Sequence, residues 1–180
     1  MQLRPLGSSG LLVSPICLGT MTFGTPVPEP DAIRLVHESI DMGINFIDTA
    51  NVYEGYDRVL GSAGGVAEEI TGKAIAGRRN QVVLATKVGA PLGPGPQDRG
   101  LSPLHIHREI DASLRRLGTD TIDLYIIHWP DRHTPLESTL ETLDQIVRAG
   151  KARYIGVSNH SAQQLCRMLW LSEQNGWVRP

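Results

Sequence analysis

The strongest constraint in this sequence is an alternation. Short apolar runs recur at Ile16–Leu18, Ile44–Ile47, Val82–Ala85, Ile122–Ile127 and Arg153–Val157, each brief and apolar as a strand buried on both faces should be. A segment of helical period follows every one. Asp31 is placed to cap a helix carrying Ile33, Val36 and Ile40 that ends at Gly43; the next carries Val66, Ile70 and Ala74 and ends at Gly77. The third has Ser102 as N-cap and Pro103 at its first position, repeats Ile106, Ile110, Leu114 and Leu117, and stops at Gly118. A fourth runs from Leu136 through Leu140, Leu143 and Val147 to Gly150, and a fifth follows Ser161 with Leu165, Met168 and Leu169 up to Gly176. Consecutive strand-then-helix units imply parallel strands, because parallel neighbours need a long return segment between them. The fold class is therefore α/β in a single domain over residues 1–180, preceded by a small β-hairpin between Leu3 and Val13 that turns at Gly7-Ser8-Ser9-Gly10.

Composition narrows the function classes. With 41% hydrophobic and 20% charged residues and a net charge of −2, the chain reads as an ordinary soluble domain. Its charges are scattered, so no footprint for nucleic acid or a membrane surface is expected, and no long apolar run marks a leader or a span. A cytoplasmic protein is expected. Cys17 and Cys166 fit neither a disulfide framework nor a zinc spacing and are expected as reduced thiols, and no histidine cluster suggests a bound metal. The usual phosphate loops are missing: Gly19-Thr20-Met21-Thr22-Phe23-Gly24 has its glycines misplaced for a dinucleotide turn. Gly72-Lys73 is followed by Ala74 rather than Ser or Thr, which leaves Lys73 as a solvated helix residue.

The informative pattern is where ionisable residues fall relative to the strands. Asp48 follows Asn45-Phe46-Ile47, Lys87 follows Val82–Thr86, and His128 follows Leu124–Ile127, so each is expected at the C-terminal end of a strand. In parallel α/β folds that edge carries the active site, because the βα loops emerge there. Tyr53 lies five residues beyond Asp48, close enough for one loop to return it over the same face. Taken singly, each of these residues is as readily a loop cap or a surface group. Together they make a chemical set. A nearby ammonium favours the phenolate form of a tyrosine, a carboxylate keeps that ammonium charged and placed, and an imidazole can orient a substrate oxygen. The set suits proton donation to a carbonyl while hydride arrives from a cofactor. The Gly/Pro-rich segment Gly89–Pro96 after the third strand reads as a functional loop.

These residues carry a resemblance. Arg4–Ser14, Leu18-Gly19-Thr20-Met21, Gly43–Ala50 with Tyr53, Ala85-Thr86-Lys87-Val88, Asp123–Asp131 and Gly150–Asn159 stand in the order and spacing of the N-terminal part of an aldo-keto reductase. The resemblance implies a (β/α)8 TIM barrel whose bottom the hairpin closes, and reduction of an aldehyde or ketone with NADP(H). It implies Tyr53 as general acid, Lys87 and Asp48 as the partners that lower its pKa, and His128 as the group orienting the carbonyl. It also implies Ser158 and Asn159 on the nicotinamide carboxamide, Gly19, Thr20 and Met21 beside the cofactor, and Trp129 with the Gly/Pro-rich loop around the substrate.

Two departures from that pattern stand out. Between Tyr53 and Thr71 the chain inserts a Gly-rich stretch that includes Gly61-Ser62-Ala63-Gly64-Gly65. A complete barrel also takes about 250 residues, so 180 residues are expected to supply about five βα units of one. Such a sheet leaves its first and last strands open, and self-association through those edges is expected.

Overall fold

The computed structural model describes residues 1–59 and 61–180. Its element order is β1 (Arg4–Pro5), β2 (Leu12–Val13), β3 (Cys17–Gly19), α1 (Glu29–Asp41), β4 (Phe46–Asp48), α2 (Val66–Ile75), β5 (Val83–Val88), α3 (Pro103–Leu117), β6 (Ile122–Ile127), α4 (Leu136–Arg148), β7 (Ala152–Val157) and α5 (Ala162–Asn175). β1 and β2 form an antiparallel hairpin, and β3 to β7 form a five-stranded sheet in sequence order, every pair parallel. The chain is α/β with a hairpin in front, as its alternation requires.

Local chemistry explains most helix ends. Ser102 accepts from the amide of His105 at the start of α3, and Gly118 closes that helix in the left-handed region at φ 62°, which glycine adopts without a Cβ penalty. Ser161 and Gln164 form a reciprocal capping box at the start of α5, which ends at Gly176. The first helix differs from expectation. It begins at Glu29 with Pro28 in the cap position, so Asp31 lies inside the first turn rather than capping it, and pairs with Arg34 at 2.9 Å. Pro30 is the reason: proline is accommodated in the first turn, whose amides have no partner in the helix.

Strand limits also shift, and the shift bears on the site. Asn45 lies outside β4 because its side chain accepts from the amide of Ser14 at 2.7 Å and donates to the carbonyl of Leu12 at 2.9 Å, tying the hairpin under the sheet. The hydroxyl of Tyr154 on β7 donates to the carbonyl of Ser9, which fastens the hairpin turn to the far end of the sheet as well. β5 runs on to Val88, so Lys87 sits inside the strand rather than beyond it. The core lies between the sheet and its helices, where Ile47, Leu84, Tyr125 and Ile127 meet Val36, Ile70, Ile106, Ile110, Leu140 and Leu143. Burying each aliphatic side chain of this kind contributes roughly 1.5–3 kcal/mol. At Gly72 the backbone of α3 comes so near that an added Cβ would lie 2.5 Å from the Arg116 carbonyl oxygen.

Cys17 and Cys166 are unpaired and exposed, and Lys73 is a solvent-facing residue bound to Glu29 at 2.9 Å. No helix is long and apolar enough to cross a membrane, and no group of three metal-binding side chains occurs, among the described residues.

Candidate active site

Successive strands of a parallel sheet end at the same edge, and that edge brings the four residues together. Asp48 is the last residue of β4. Its carbonyl accepts from the amide of Thr20 at 3.0 Å and from the Thr20 hydroxyl at 3.2 Å, while Gly19 is its ladder partner. The turn after β3 therefore holds Asp48 from one side. Thr20 is spent on this task and wholly buried, whereas Met21 beside it is 48% exposed.

Lys87 enters from β5 on the other side. Side chains alternate along a strand, and Lys87 shares the inner face of the sheet with Ala85 while Thr86 and Val88 point at the helices. Lys87 is 6% exposed, and its ammonium meets three acceptors: Asp48 Oδ2 at 2.6 Å, the Thr49 carbonyl at 2.9 Å and the Tyr53 phenolic oxygen at 3.1 Å. An ammonium has three protons, and here each has a destination. A buried cation without such partners would be costly, so the ion pair and the two further oxygens are what allow it there.

Tyr53 reaches this point on the loop after β4. Its amide donates to the carbonyl of Ala50 at 3.1 Å, and its own carbonyl accepts from the amide of Ala67 in the first turn of α2 at 3.0 Å. The glycine-rich insertion is thus bridged at both ends. Glu54 accepts from the Ser62 hydroxyl, and Arg58 donates to the Pro91 carbonyl at 2.5 Å, which links the insertion to the Gly/Pro-rich loop. Because the phenolic oxygen of Tyr53 accepts from Lys87, its O–H remains available to donate toward the open side of the site.

His128 completes the group from the end of β6. Its ring lies edge-on to Tyr53 at 5.7 Å between centroids and stacks flat on Trp129 at 3.7 Å. Burial, and then the Lys87 charge, push its pKa down from 6.5 to about 4, so the ring is neutral at neutral pH and has one N–H to donate. Its Nδ1 is buried without a hydrogen-bond partner. The backbone is held on both sides: the amide donates to Val88 at 2.9 Å and the carbonyl accepts from the Asn159 side chain at 2.8 Å.

Ser158 and Asn159 follow β7 next to His128. Asn159 adopts the left-handed region at φ 58° and also donates to the Ser158 hydroxyl at 3.0 Å. Trp129 is 45% exposed and lines a cleft of about 390 Å³ with Gly89, Pro91 and Pro96 from the Gly/Pro-rich loop and with Gln97 and Arg99 just beyond it. All the residues singled out from the sequence, Gly19, Thr20, Met21, Asp48, Tyr53, Lys87, His128, Trp129, Ser158 and Asn159, thus lie along one edge of the sheet. The third acceptor on Lys87, the Thr49 carbonyl, went unnoticed in the sequence. A backbone group leaves no residue-type signal, and only its place beside Asp48 could have pointed to it.

Comparison with known proteins identifies the family and the fold. Residues 15–180 match the Aldo/keto reductase family. An uncharacterized oxidoreductase of Bacillus subtilis is 45% identical over 174 residues, covering 93% of this chain and 52% of the relative. A probable voltage-gated potassium channel subunit beta of Arabidopsis thaliana is 41% identical, covering 100% of this chain and 53% of the relative. Among solved structures, an aldo-keto reductase of Bacillus halodurans in its holo form superposes with a TM-score of 0.81 at 34% identity, over 94% of this chain and 54% of that one. The chain spans about half the length of the curated relatives it matches.

Proposed function

Since this chain belongs to the Aldo/keto reductase family, we propose that it carries the acid–base half of a cytoplasmic, NADP(H)-dependent reductase acting on small aldehydes or ketones. The observation that carries this reading is the convergence of Asp48, Thr49 and Tyr53 on the single ammonium of Lys87, with a neutral His128 alongside. Tyr53 acts as general acid and gives its proton to the carbonyl oxygen as that oxygen becomes negative. Lys87, donating to the phenolic oxygen, stabilises the charge left behind. Asp48 and the Thr49 carbonyl fix the ammonium in that place, so it needs no reorganisation when the proton moves. His128, neutral and stacked on Trp129, donates its N–H to the same carbonyl oxygen and sets its direction.

The residues present fit a nicotinamide. Ser158 and Asn159 offer donor and acceptor atoms of the kind a carboxamide requires, next to His128, and Gly19 leaves open space where a Cβ would stand. The reduced nicotinamide, when bound, supplies the hydride. Trp129 and the Gly/Pro-rich loop then face the rest of the substrate across their cleft.

The test is twofold: quenching of tryptophan fluorescence on titration with NADPH or NADH, and loss of nicotinamide absorbance with a panel of aldehydes and ketones. Tyr53→Phe is expected to lower turnover at least about 100-fold while leaving cofactor quenching in place. Unchanged turnover in that variant overturns the assignment. The match to a channel beta subunit favours a second reading, a binding protein that retains the site; cofactor binding without turnover on any carbonyl, with capture of a protein partner, would support it.

A further inference from the structure

Behind the site, on the face of the sheet turned to the helices, a ring of polar contacts leaves β5 and returns to it. Thr86 Oγ1 donates to Glu68 Oε1 at 2.5 Å, and Arg116 Nε donates to Glu68 Oε2 at 2.6 Å. Arg116 then lies 3.9 Å from Glu109 Oε2, and Asn51 Nδ2 donates to that same oxygen at 3.2 Å. The backbone amide of Asn51 donates to the carbonyl of Lys87 at 3.3 Å, and because Thr86 and Lys87 are consecutive the ring closes on β5. Glu68 and Asn51 are fully buried and Glu109 is 5% exposed. Arg108 Nε also meets Glu109 Oε1 at 3.3 Å, and the Ser113 hydroxyl accepts from Arg116 at 3.4 Å. None of these side chains is hydrogen-bonded to Lys87 Nζ, Tyr53 or His128, yet burying two carboxylates and an amide costs free energy that surface placement would avoid.

Asn51 is the member with a consequence for the site. It lies between Asp48 and Tyr53, in the segment that supplies all three acceptors to Lys87. Its backbone binds β5 and its side chain binds α3, so it is anchored front and back. We propose that Asn51 and Glu109 are positioning residues, whose amide–carboxylate bond holds residues 49–53 at the height on β5 where the Thr49 carbonyl and the Tyr53 hydroxyl both meet Lys87. The tolerance is small. A slide of about 1 Å takes a 3.1 Å contact beyond hydrogen-bond range and displaces a reacting group enough to cost about 100-fold in rate. The kinetic consequence rests on the reductase reading, whereas the placement itself is readable without turnover.

The test is a swap. Asn51→Asp sets two carboxylates against each other and removes the donor. Asn51→Asp with Glu109→Gln restores a donor–acceptor pair with the polarity reversed and the same net charge as the native pair. Amide hydrogen exchange should be at least about tenfold faster at Thr49, Asn51 and Tyr53 in Asn51→Asp than in the native chain, with Ile47 unchanged. The double variant should return to within about twofold of the native chain. Asn51→Ala, which removes the bond without adding charge, should loosen the same amides and serves if the aspartate variant does not fold. In turnover, kcat should fall about 10- to 100-fold with KM for the nicotinamide unchanged, and recover in the swap. Exchange unchanged at those amides, or uniform destabilisation that the swap does not relieve, overturns the proposal. Turnover bears on the reductase reading alone, and the exchange pattern decides the placement whether or not a carbonyl is reduced.

Discussion

On the helix side of the sheet, Ile47, Leu84, Tyr125 and Ile127 are at most 1% exposed, whereas on the inner side Phe46, Leu124, Ile126 and Tyr154 stay partly open and Cys17 is exposed. The chain's own helices cover the first face. The second is lined by strands whose outermost members, β3 and β7, do not meet. Asp48, Lys87 and His128 all belong to the open face, and the buried contacts that stabilise the chain belong mainly to the other. Stability and chemistry are thus divided between the two sides of one sheet. The polar ring through Glu68 and Glu109 connects them.

That division can be broken experimentally. The largest contrast should come from paired truncations. Leu84→Ala, on the helix side, should cost about 2–5 kcal/mol in urea unfolding, while Leu124→Ala on the inner side should cost less than about 1.5 kcal/mol. Equal losses would show that the inner face is as well packed as the outer. A smaller effect is expected with pH. The His128 pKa is held near 4 in the folded chain against 6.5 for the free side chain, so between those values the unfolded chain binds a proton that the folded chain does not. Acidification through that window therefore favours unfolding. His105, whose pKa burial also lowers, contributes with the same sign. His128→Gln should make the midpoint-against-pH curve shallower below pH 6.5 without abolishing the slope, and an unaltered curve would remove His128 from the explanation. The smallest effect concerns the edges. Ile16 beside β3 is 54% exposed and Trp170 on α5 is 62% exposed, and with both outer strands unpaired the 180-residue chain is expected to self-associate in sedimentation. Ile16→Lys should shift that equilibrium toward monomer by a few fold; a native chain that sediments as a monomer at all concentrations would contradict it.

Much of the fold was legible because its signals are local. The limits of α3 and α5 follow from Ser102, Pro103 and Gly118, and from Ser161 and Gly176, since a cap is a bond between residues a few positions apart. β6 runs over Ile122–Ile127 as its apolar run implies. Less legible were the edges of β4 and β5. Asn45 is drawn out of its strand by the hairpin, a contact over 31 positions, and Lys87 continues its strand because β6 pairs with it. The polar ring escaped notice altogether. Glu109 falls on the same stripe of α3 as Ile106 and Ile110, and a charged residue on such a stripe is a hint only once its partner is known.

The order of elements, the α/β class and the residue types at the strand ends are written in the chain, because periodicity and capping act between near neighbours. Long-range packing is what makes Asp48, Thr49 and Tyr53 share one ammonium and desolvates His128 to a pKa of about 4. It also buries Glu68 and Glu109. Each of these depends on which groups the sheet brings together and how much water it excludes between them, and neither quantity is written along the chain.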